Sequence, residues 1–174
     1  VQIPTWNDYS EQADIAPSTH HGWNLLDITS YYLTQFKNGG TATPIVRDIA
    51  YVNFRTQQAN ATVTGQTKTQ VIRSDSNAPR DLIEVDTFLT APATVTLKVG
   101  STTNTYTAPA GVSYQTYPIA AGAVSVTVVR NGATVATITP PNSDYNITIG
   151  SVTIQDEHYR YLGSVSSRND SSGY

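Results

Sequence analysis

The chain has 174 residues, of which 39% are hydrophobic and only 13% are charged, and its formal net charge is -3. The basic residues are scattered without forming a patch, which excludes the electrostatic surface that nucleic-acid binding requires. No apolar run approaches the roughly 18 residues that a membrane span needs, and the lack of Cys excludes disulfides and thiolate metal sites. Because charge is low and Thr, which favours half-buried strands, is abundant, we expect a mainly β protein.

The first eleven residues pass from a short apolar run into polar residues. Pro4 has no backbone N–H to donate in a central strand, so this stretch predicts the end of a strand that opens into a loop. The chain also begins at Val1 and contains no Met. We therefore expect it to be part of a longer gene product.

An amphipathic helix is predicted from Trp23 to Asn38. Lys37 falls in its last turn, where a cation suits the helix dipole, and Gly39-Gly40 supplies the positive φ that ends helices. Its apolar stripe recurs every three to four residues and comprises Leu25, Ile28, Tyr32 and Phe36, widened by Leu26 and Leu33. A stripe of this size must be covered, either by the rest of this chain or by another domain.

From Ile45 onward the hydrophobic period changes from about 3.6 to about 2, which predicts strands. The alternating runs lie around residues 48–54, 61–64, 82–89, 94–99, 124–130 and 133–139. Short strands at this spacing predict an antiparallel β-sandwich of Ig-like type. The tail from Ser166 onward is polar and is expected to be frayed.

The dipeptide Asn131-Gly132 predicts a type I′ hairpin turn, because both central positions of that turn need positive φ. A two-residue loop pairs Arg130 with Ala133, so that Val128 faces Val135 and Val126 faces Thr137. The register puts four valines on the core face: Val124, Val126, Val128 and Val135. Four smaller side chains fall on the opposite face: Ser125, Thr127, Thr134 and Ala136.

The stretch Trp6-Asn7-Asp8-Tyr9-Ser10-Glu11, followed by Ile15-Ala16-Pro17-Ser18 and the helix, resembles the last β/α unit of the barrel in family 71 glycoside hydrolases, the α-1,3-glucanases or mutanases. The segment 85–96 and the hairpin 124–139 resemble the β-sandwich region that follows the barrel in many members. The resemblance implies the terminal β/α unit of a TIM barrel, or (β/α)8 barrel, at residues 1–43 and a C-terminal antiparallel β-sandwich at residues 44–174.

In barrels of this kind the active site lies at the C-terminal ends of the strands, where the motif would sit. The resemblance implies a sugar subsite lined by Trp6, Asn7, Asp8, Tyr9 and Glu11, with the indole stacked on a pyranose face and the carboxylates bonded to hydroxyls. Family members invert at the anomeric carbon and need an acid and a base carboxyl group. The resemblance places that pair on earlier strands, so we predict no catalytic residue in this chain.

The same resemblance implies a secreted, extracellular parent enzyme whose partner is an α-glucan polysaccharide, with neither nucleic acid nor membrane. No cofactor is implied. The missing N-terminal barrel, or another chain, would cover the helix Trp23–Asn38.

Three further groups of side chains were weighed. His20 and His21 are adjacent, so they point to opposite sides of an extended chain, and no third ligand stands nearby, which argues against a metal site. Two carboxylates, Glu84 and Asp86, share one face of a strand whose other face carries Ile83, Val85 and Leu89. They could bind calcium, although a strand face that simply points to solvent is the simpler explanation.

Three tyrosines flank turns that contain Gly or Pro: Tyr106, Tyr114 and Tyr117. They could stack on sugar rings, but partly buried tyrosines that stabilise the sandwich are the interpretation we favour.

The leading hypothesis is the C-terminal portion of a secreted glycoside hydrolase acting on α-1,3-glucan or a related polysaccharide. The portion alone should be inactive, because a single barrel strand cannot assemble a two-carboxylate site. One alternative is a non-catalytic glycan-binding or structural β-sandwich module, since the residues after Pro44 look self-contained. A second alternative is a self-assembling β-rich surface protein, which the low charge and abundant Thr suggest.

Overall fold

The computed structural model describes residues 2–3, 5–9, 13–18, 21–67, 74–75, 77–153 and 162–168. Within these residues the protein is mainly β, as predicted, with antiparallel sheets and a single α-helix, α1 at Asn24–Lys37. The strands are β1 Asn7–Asp8, β2 Ala13–Asp14, β3 Ile49–Arg55, β4 Thr62–Val63, β5 Leu82–Leu89, β6 Ala93–Val99, β7 Thr102–Ala108, β8 Gly111–Pro118, β9 Val124–Arg130, β10 Ala133–Ile138, β11 Ser151–Val152 and β12 Leu162–Ser166. None of the described segments forms a helix long and apolar enough to span a bilayer.

Two four-stranded sheets make up most of the structure. Sheet I has the order β12-β3-β5-β8, sheet II has the order β10-β9-β6-β7, and all neighbours within them are antiparallel. Two short pairs stand apart from them, the antiparallel β1-β2 and the parallel β4-β11. Each of the six predicted runs coincides with a strand to within one residue at either end.

The two sheets share one apolar core. Val52 of sheet I and Val95 of sheet II are both completely buried in it. The predicted core face of β5 is confirmed, and its members are Ile83, Val85 and Leu89. Thr87 lies on the same face with no exposed surface, and its hydroxyl shares a 2.8 Å hydrogen bond with the Ser113 hydroxyl of β8. A buried polar group of this kind costs little because it is satisfied across the strand pair.

The hairpin of β9 and β10 turns where the sequence predicts. Arg130 pairs with Ala133, and Asn131 and Gly132 have φ values of 51° and 80°. Positive φ at both central positions is what the Asn-Gly dipeptide provides at low cost.

Beyond the second pair, Thr134 with Val129, the predicted register is wrong. A β-bulge between Thr134 and Ala136 adds one residue to β10 and shifts the pairing by one. The pairs found are Val128 with Ala136 and Val126 with Ile138, in place of Val135 and Thr137. Because the side-chain period of a strand is two, the shift moves Ala136 and Ile138 into the core.

The helix lies one residue inside the predicted bounds at either end, and Gly39 and Gly40 follow it with φ values of 66° and 89°. It packs on the face of sheet I that points away from the core. The Tyr31 ring meets the Phe88 ring edge-on at 5.2 Å, and Tyr51 meets Phe88 in the same way at 5.5 Å. The Tyr51 hydroxyl also donates to Asp27 Oδ2 at 3.2 Å.

The side of the helix that contacts sheet I is therefore not the predicted apolar stripe. Leu25, Tyr32 and Phe36 are 39%, 52% and 61% exposed, whereas Asn24 on the packed side is completely buried. We expected either the rest of this chain or another domain to cover the stripe. The described part of this chain leaves these three apolar side chains exposed. We call the exposed Leu25, Tyr32 and Phe36 the open helix face.

The C-terminal strand β12 joins the helix to sheet I. Ser167 follows it, donates its N–H to the Ala50 carbonyl at 2.8 Å, and accepts the Ala50 N–H with its hydroxyl at 2.9 Å. Arg168 pairs with Asp27 at 2.7 Å and lies 4.9 Å from the centre of the Trp23 ring. The expectation of fraying is thus wrong for residues 166–168, because backbone hydrogen bonds and the ion pair between Arg168 and Asp27 hold them in place. Residues 169–174 lie outside the described part.

An ion pair links the two sheets at one end. Asp48 precedes β3 and Arg130 ends β9, and their two parallel contacts measure 2.7 and 2.9 Å. The Thr90 N–H donates to the same carboxylate at 2.8 Å. The hydrogen bonds from Arg130 hold the pKa of Asp48 down at about 2. We call Asp48, Thr90 and Arg130 the inter-sheet clasp.

Candidate functional site

The predicted motif forms a small hairpin at the N-terminal end of the described chain. Asn7 of β1 pairs with Asp14 of β2, and the Tyr9 N–H donates to the Asn7 carbonyl at 2.9 Å. The Trp6 carbonyl accepts from the N–H groups of Ile15 and Ala16 at 2.9 and 2.8 Å. These backbone bonds fix the positions from which the side chains of the motif project.

Four of the five predicted subsite residues lie together on this hairpin. Trp6 and Tyr9 are 53% and 52% exposed, Asn7 is exposed, and Asp8 between them is half-buried. The Tyr9 hydroxyl donates to a backbone carbonyl at 3.2 Å, which limits the motion of its ring. The fifth residue, Glu11, lies outside the described residues.

Trp and Tyr side chains are enriched at wet binding surfaces, because each combines an apolar ring with a polar group. An indole presents a flat apolar face to the C–H groups of a sugar ring, while a carboxylate accepts hydrogen bonds from sugar hydroxyls. The hairpin therefore carries both kinds of group that recognise a pyranose.

A buried, hydrogen-bonded pair of side chains supports the hairpin, and the sequence did not predict it. Asp14 is 6% exposed, and its carboxylate accepts a short hydrogen bond from Nε2 of His21, whose side chain is 13% exposed. The His21 N–H donates to the Ser18 hydroxyl at 3.3 Å, and Gly22 closes this loop with φ of 51°. The pair connects β2 to the loop that leads into the helix, so it helps to position the hairpin.

No sequence pattern predicts this pair, because Asp14 and His21 are seven positions apart in a segment without periodicity. A metal site at His21 would also need His20, which lies outside the described residues. Within the described residues no group of three or more His, Cys, Asp or Glu side chains comes together in a way that could hold a metal ion.

The two carboxylates of β5 face away from the core, as predicted. The side-chain amide of Asn53 donates to Asp86 at 2.9 Å. Burial, and secondly the charge of Glu84, raise the pKa of Asp86 to about 6. Asp86 is therefore not a solvated surface carboxylate, although the strand face on which it lies was predicted correctly.

The tyrosines divide into two groups. Tyr106 and Tyr117 pack against the core with ring centres 6.3 Å apart, and burial raises the pKa of both. The favoured interpretation, stabilisation of the core, is thus supported for these two. Tyr114, on the outer face of sheet I, is 69% exposed.

A family model described as glycosyl hydrolase family 71 matches residues 1–171. A mutanase of Penicillium rubens is 28% identical in a match that covers 78% of this chain and 33% of the relative. A glucan endo-1,3-alpha-glucosidase of Schizosaccharomyces pombe is 30% identical in a match that covers 81% of this chain and 36% of the relative. The chain thus spans about a third of the length of these relatives. No significant match to a solved structure was found. Because the family model covers nearly the whole sequence, the chain belongs to glycosyl hydrolase family 71.

Proposed function

We propose that this chain is the C-terminal portion of a secreted glycoside hydrolase that acts on α-1,3-glucan, and that its N-terminal hairpin contributes a sugar subsite. The substrate follows from the relatives, one named a mutanase and the other a glucan endo-1,3-alpha-glucosidase. The observation that carries the subsite is the pair of half-exposed aromatic rings, Trp6 and Tyr9, on either side of Asp8.

The hairpin binds and orients the polysaccharide in this proposal. Trp6 stacks on one glucose ring, and Asn7, Asp8 and Glu11 hydrogen-bond its hydroxyls. The acid and the base that an inverting glycosidase needs lie on barrel strands outside this chain. Holding one sugar in register raises the fraction of bound substrate whose scissile bond stands between those two carboxyl groups.

The open helix face has a place in the same proposal. Leu25 and Phe36 are exposed on a side of the helix that does not contact sheet I, and the remaining barrel elements would pack there. Burying such side chains contributes roughly 1.5–3 kcal/mol each. The helix would then lie between the barrel and the two sheets. We propose that these two sheets form an Ig-like accessory sandwich.

The test is made in the full-length enzyme, with reducing-sugar release from α-1,3-glucan as the readout. Trp6→Ala should raise KM about tenfold, equivalent to about 1.4 kcal/mol of lost binding, while Trp6→Phe should recover part of the loss. Tyr114→Ala is the matched control, because it removes an exposed aromatic ring from the outer face of sheet I.

Two results would contradict the proposal. Unchanged kinetics in Trp6→Ala would remove the hairpin from the substrate site. Hydrolysis of α-1,3-glucan by the 174-residue chain alone would show that the catalytic pair lies within it.

A further inference from the structure

A groove separates the C-terminal half of α1 from the segment that follows the helix. Its volume is about 520 Å³, within the usual range for small-molecule sites. It is lined on the helix side by Tyr31, Tyr32 and Gln35, and on the other sides by Thr43, Thr90 and Val112. None of these residues belongs to the N-terminal hairpin, so the groove is a separate site.

One polar group in the groove wall is left unsatisfied. The hydroxyl oxygen of Thr43 is buried and has no hydrogen-bond partner in the described structure. A buried hydroxyl without a partner is costly, and such groups are rare in native proteins unless a ligand or water completes them. A ligand with hydroxyl groups would satisfy it once the Thr43 side chain rotates to turn the oxygen into the groove, whereas an apolar partner surface would leave it unpaired.

A second polar group is available on the helix side. The side-chain N–H of Gln35 donates to the Gly40 carbonyl at 3.2 Å, which fixes the amide and leaves its oxygen to accept. The groove thus offers a hydroxyl that can donate or accept and an amide oxygen that accepts.

The aromatic part of the wall is held in place. Tyr32 is 52% exposed, and its ring meets the Tyr31 ring edge-on at 5.2 Å. Tyr31 is in turn held edge-on by Phe88 of sheet I, also at 5.2 Å. A fixed and half-open aromatic ring beside two hydrogen-bonding groups suits a pyranose, which has apolar C–H faces and a rim of hydroxyls.

We propose that this groove binds one or two glucose units of an α-glucan chain as a secondary site, apart from the hairpin. Tyr32 stacks on one sugar ring, while Thr43 and Gln35 bond its hydroxyls. The identity of the sugar rests on the proposed function. Tyr32 stands where the groove borders the open helix face, and sites at the boundary between domains are common.

The experiment is titration calorimetry of the 174-residue chain with oligomers of α-1,3-linked glucose. Tyr32→Ala and Thr43→Val should each weaken binding about tenfold or more. Thr43→Val removes only the hydroxyl group and keeps nearly the same side-chain shape. Tyr114→Ala, which removes a more exposed tyrosine outside the groove, should bind like the parent chain. Circular dichroism of each variant confirms that the fold is retained.

The proposal is overturned if no heat of binding appears at millimolar oligomer, or if both groove variants bind like the parent. It is also overturned if Trp6→Ala abolishes the binding, because the sugar would then occupy the hairpin. These results can be separated from failure of the proposed function. Loss of the groove site leaves hydrolysis by the full-length enzyme in place, whereas an inactive full-length enzyme leaves the titration result standing.

Discussion

Asp86 provides the sharpest test of the electrostatics of sheet I. Its carboxylate is largely buried, lies on the same strand face as Glu84, and accepts one hydrogen bond from Asn53. Replacing it by Asn removes the charge and keeps the shape, and an amide oxygen at this position can accept the same hydrogen bond. We therefore expect Asp86→Asn to stabilise the protein at neutral pH.

The magnitude follows from the pKa. Burial and the neighbouring charge raise the pKa of Asp86 from an ordinary 3.8 to about 6. A raised carboxyl pKa means that the folded protein binds a proton between pH 6 and pH 4 that the unfolded chain does not, so stability falls as pH rises through that window. The full difference corresponds to about 3 kcal/mol at pH 7, and residual solvent contact reduces our expectation to about 2 kcal/mol.

The free energies of unfolding of the parent and of Asp86→Asn are measured by urea unfolding, followed by Trp fluorescence, at pH 7 and at pH 3.5. Asp86→Asn should exceed the parent by about 2 kcal/mol at pH 7, and the two should nearly coincide at pH 3.5, where the carboxyl group of the parent is protonated in the folded protein and largely protonated in the unfolded chain. Asp144→Asn, which removes an exposed carboxylate in the 3₁₀ turn Ser143–Tyr145, is the control and should differ little from the parent at either pH. An Asp86→Asn variant that is less stable at pH 7, or whose advantage does not change with pH, would refute the reasoning.

Three further predictions concern stability measured in the same way. Tyr106→Phe removes a buried hydroxyl that has no partner in the described structure and should gain about 1 kcal/mol; a loss would mean that the hydroxyl is satisfied. Asp48→Asn breaks the inter-sheet clasp and should cost about 1–2 kcal/mol at pH 7 after allowance for solvent. Because the folded-state pKa of Asp48 is lowered to about 2, this contribution should vanish as pH falls from about 4 to about 2, and a constant deficit would argue against the ion pair. Gly100→Ala places a Cβ against the Ala121 carbonyl at φ of 55° and should cost well over 2 kcal/mol. Gly132→Ala at φ of 80° meets no atom within 4 Å and should cost only about 1 kcal/mol, so equal losses would show that the close contact is relieved by backbone movement.

Local patterns explain why half of the strands could be predicted. In β5 and β9 the apolar residues alternate over seven or eight positions, so both the extent and the buried face are encoded in the segment itself. The strand β7 was not among the predicted runs, because its exposed side is Thr and it offers only Tyr106 and Ala108 to the core.

Features that depend on a distant partner could not be predicted. The bulge in β10 depends on packing against the core, so the Asn-Gly turn determined only the first two pairs of the hairpin. The helix packs through Tyr31 and Asp27 because Phe88 and Tyr51 stand opposite them, although the stronger apolar periodicity lies on the other side.

The candidate site shows the same division. The hairpin residues were predicted from the resemblance of their motif to family 71 glycoside hydrolases, and their proximity follows from four adjacent positions in sequence. The pair of Asp14 and His21, and the groove beside Thr43, arise only when the loop and the helix take their places.

The position of β12 also constrains when the molecule can fold. Ala50 and Ser167 bond across 117 positions, and Asp27 and Arg168 across 141, so sheet I and the helix are completed only after the ribosome has released the chain as far as Arg168. Until then β3 has an open edge, which is the kind of edge that pairs with other nascent chains. Contacts this long-range also form slowly. We therefore expect the fold to be completed only once β12 has left the ribosome, and a chain stopped before β12 to aggregate through β3.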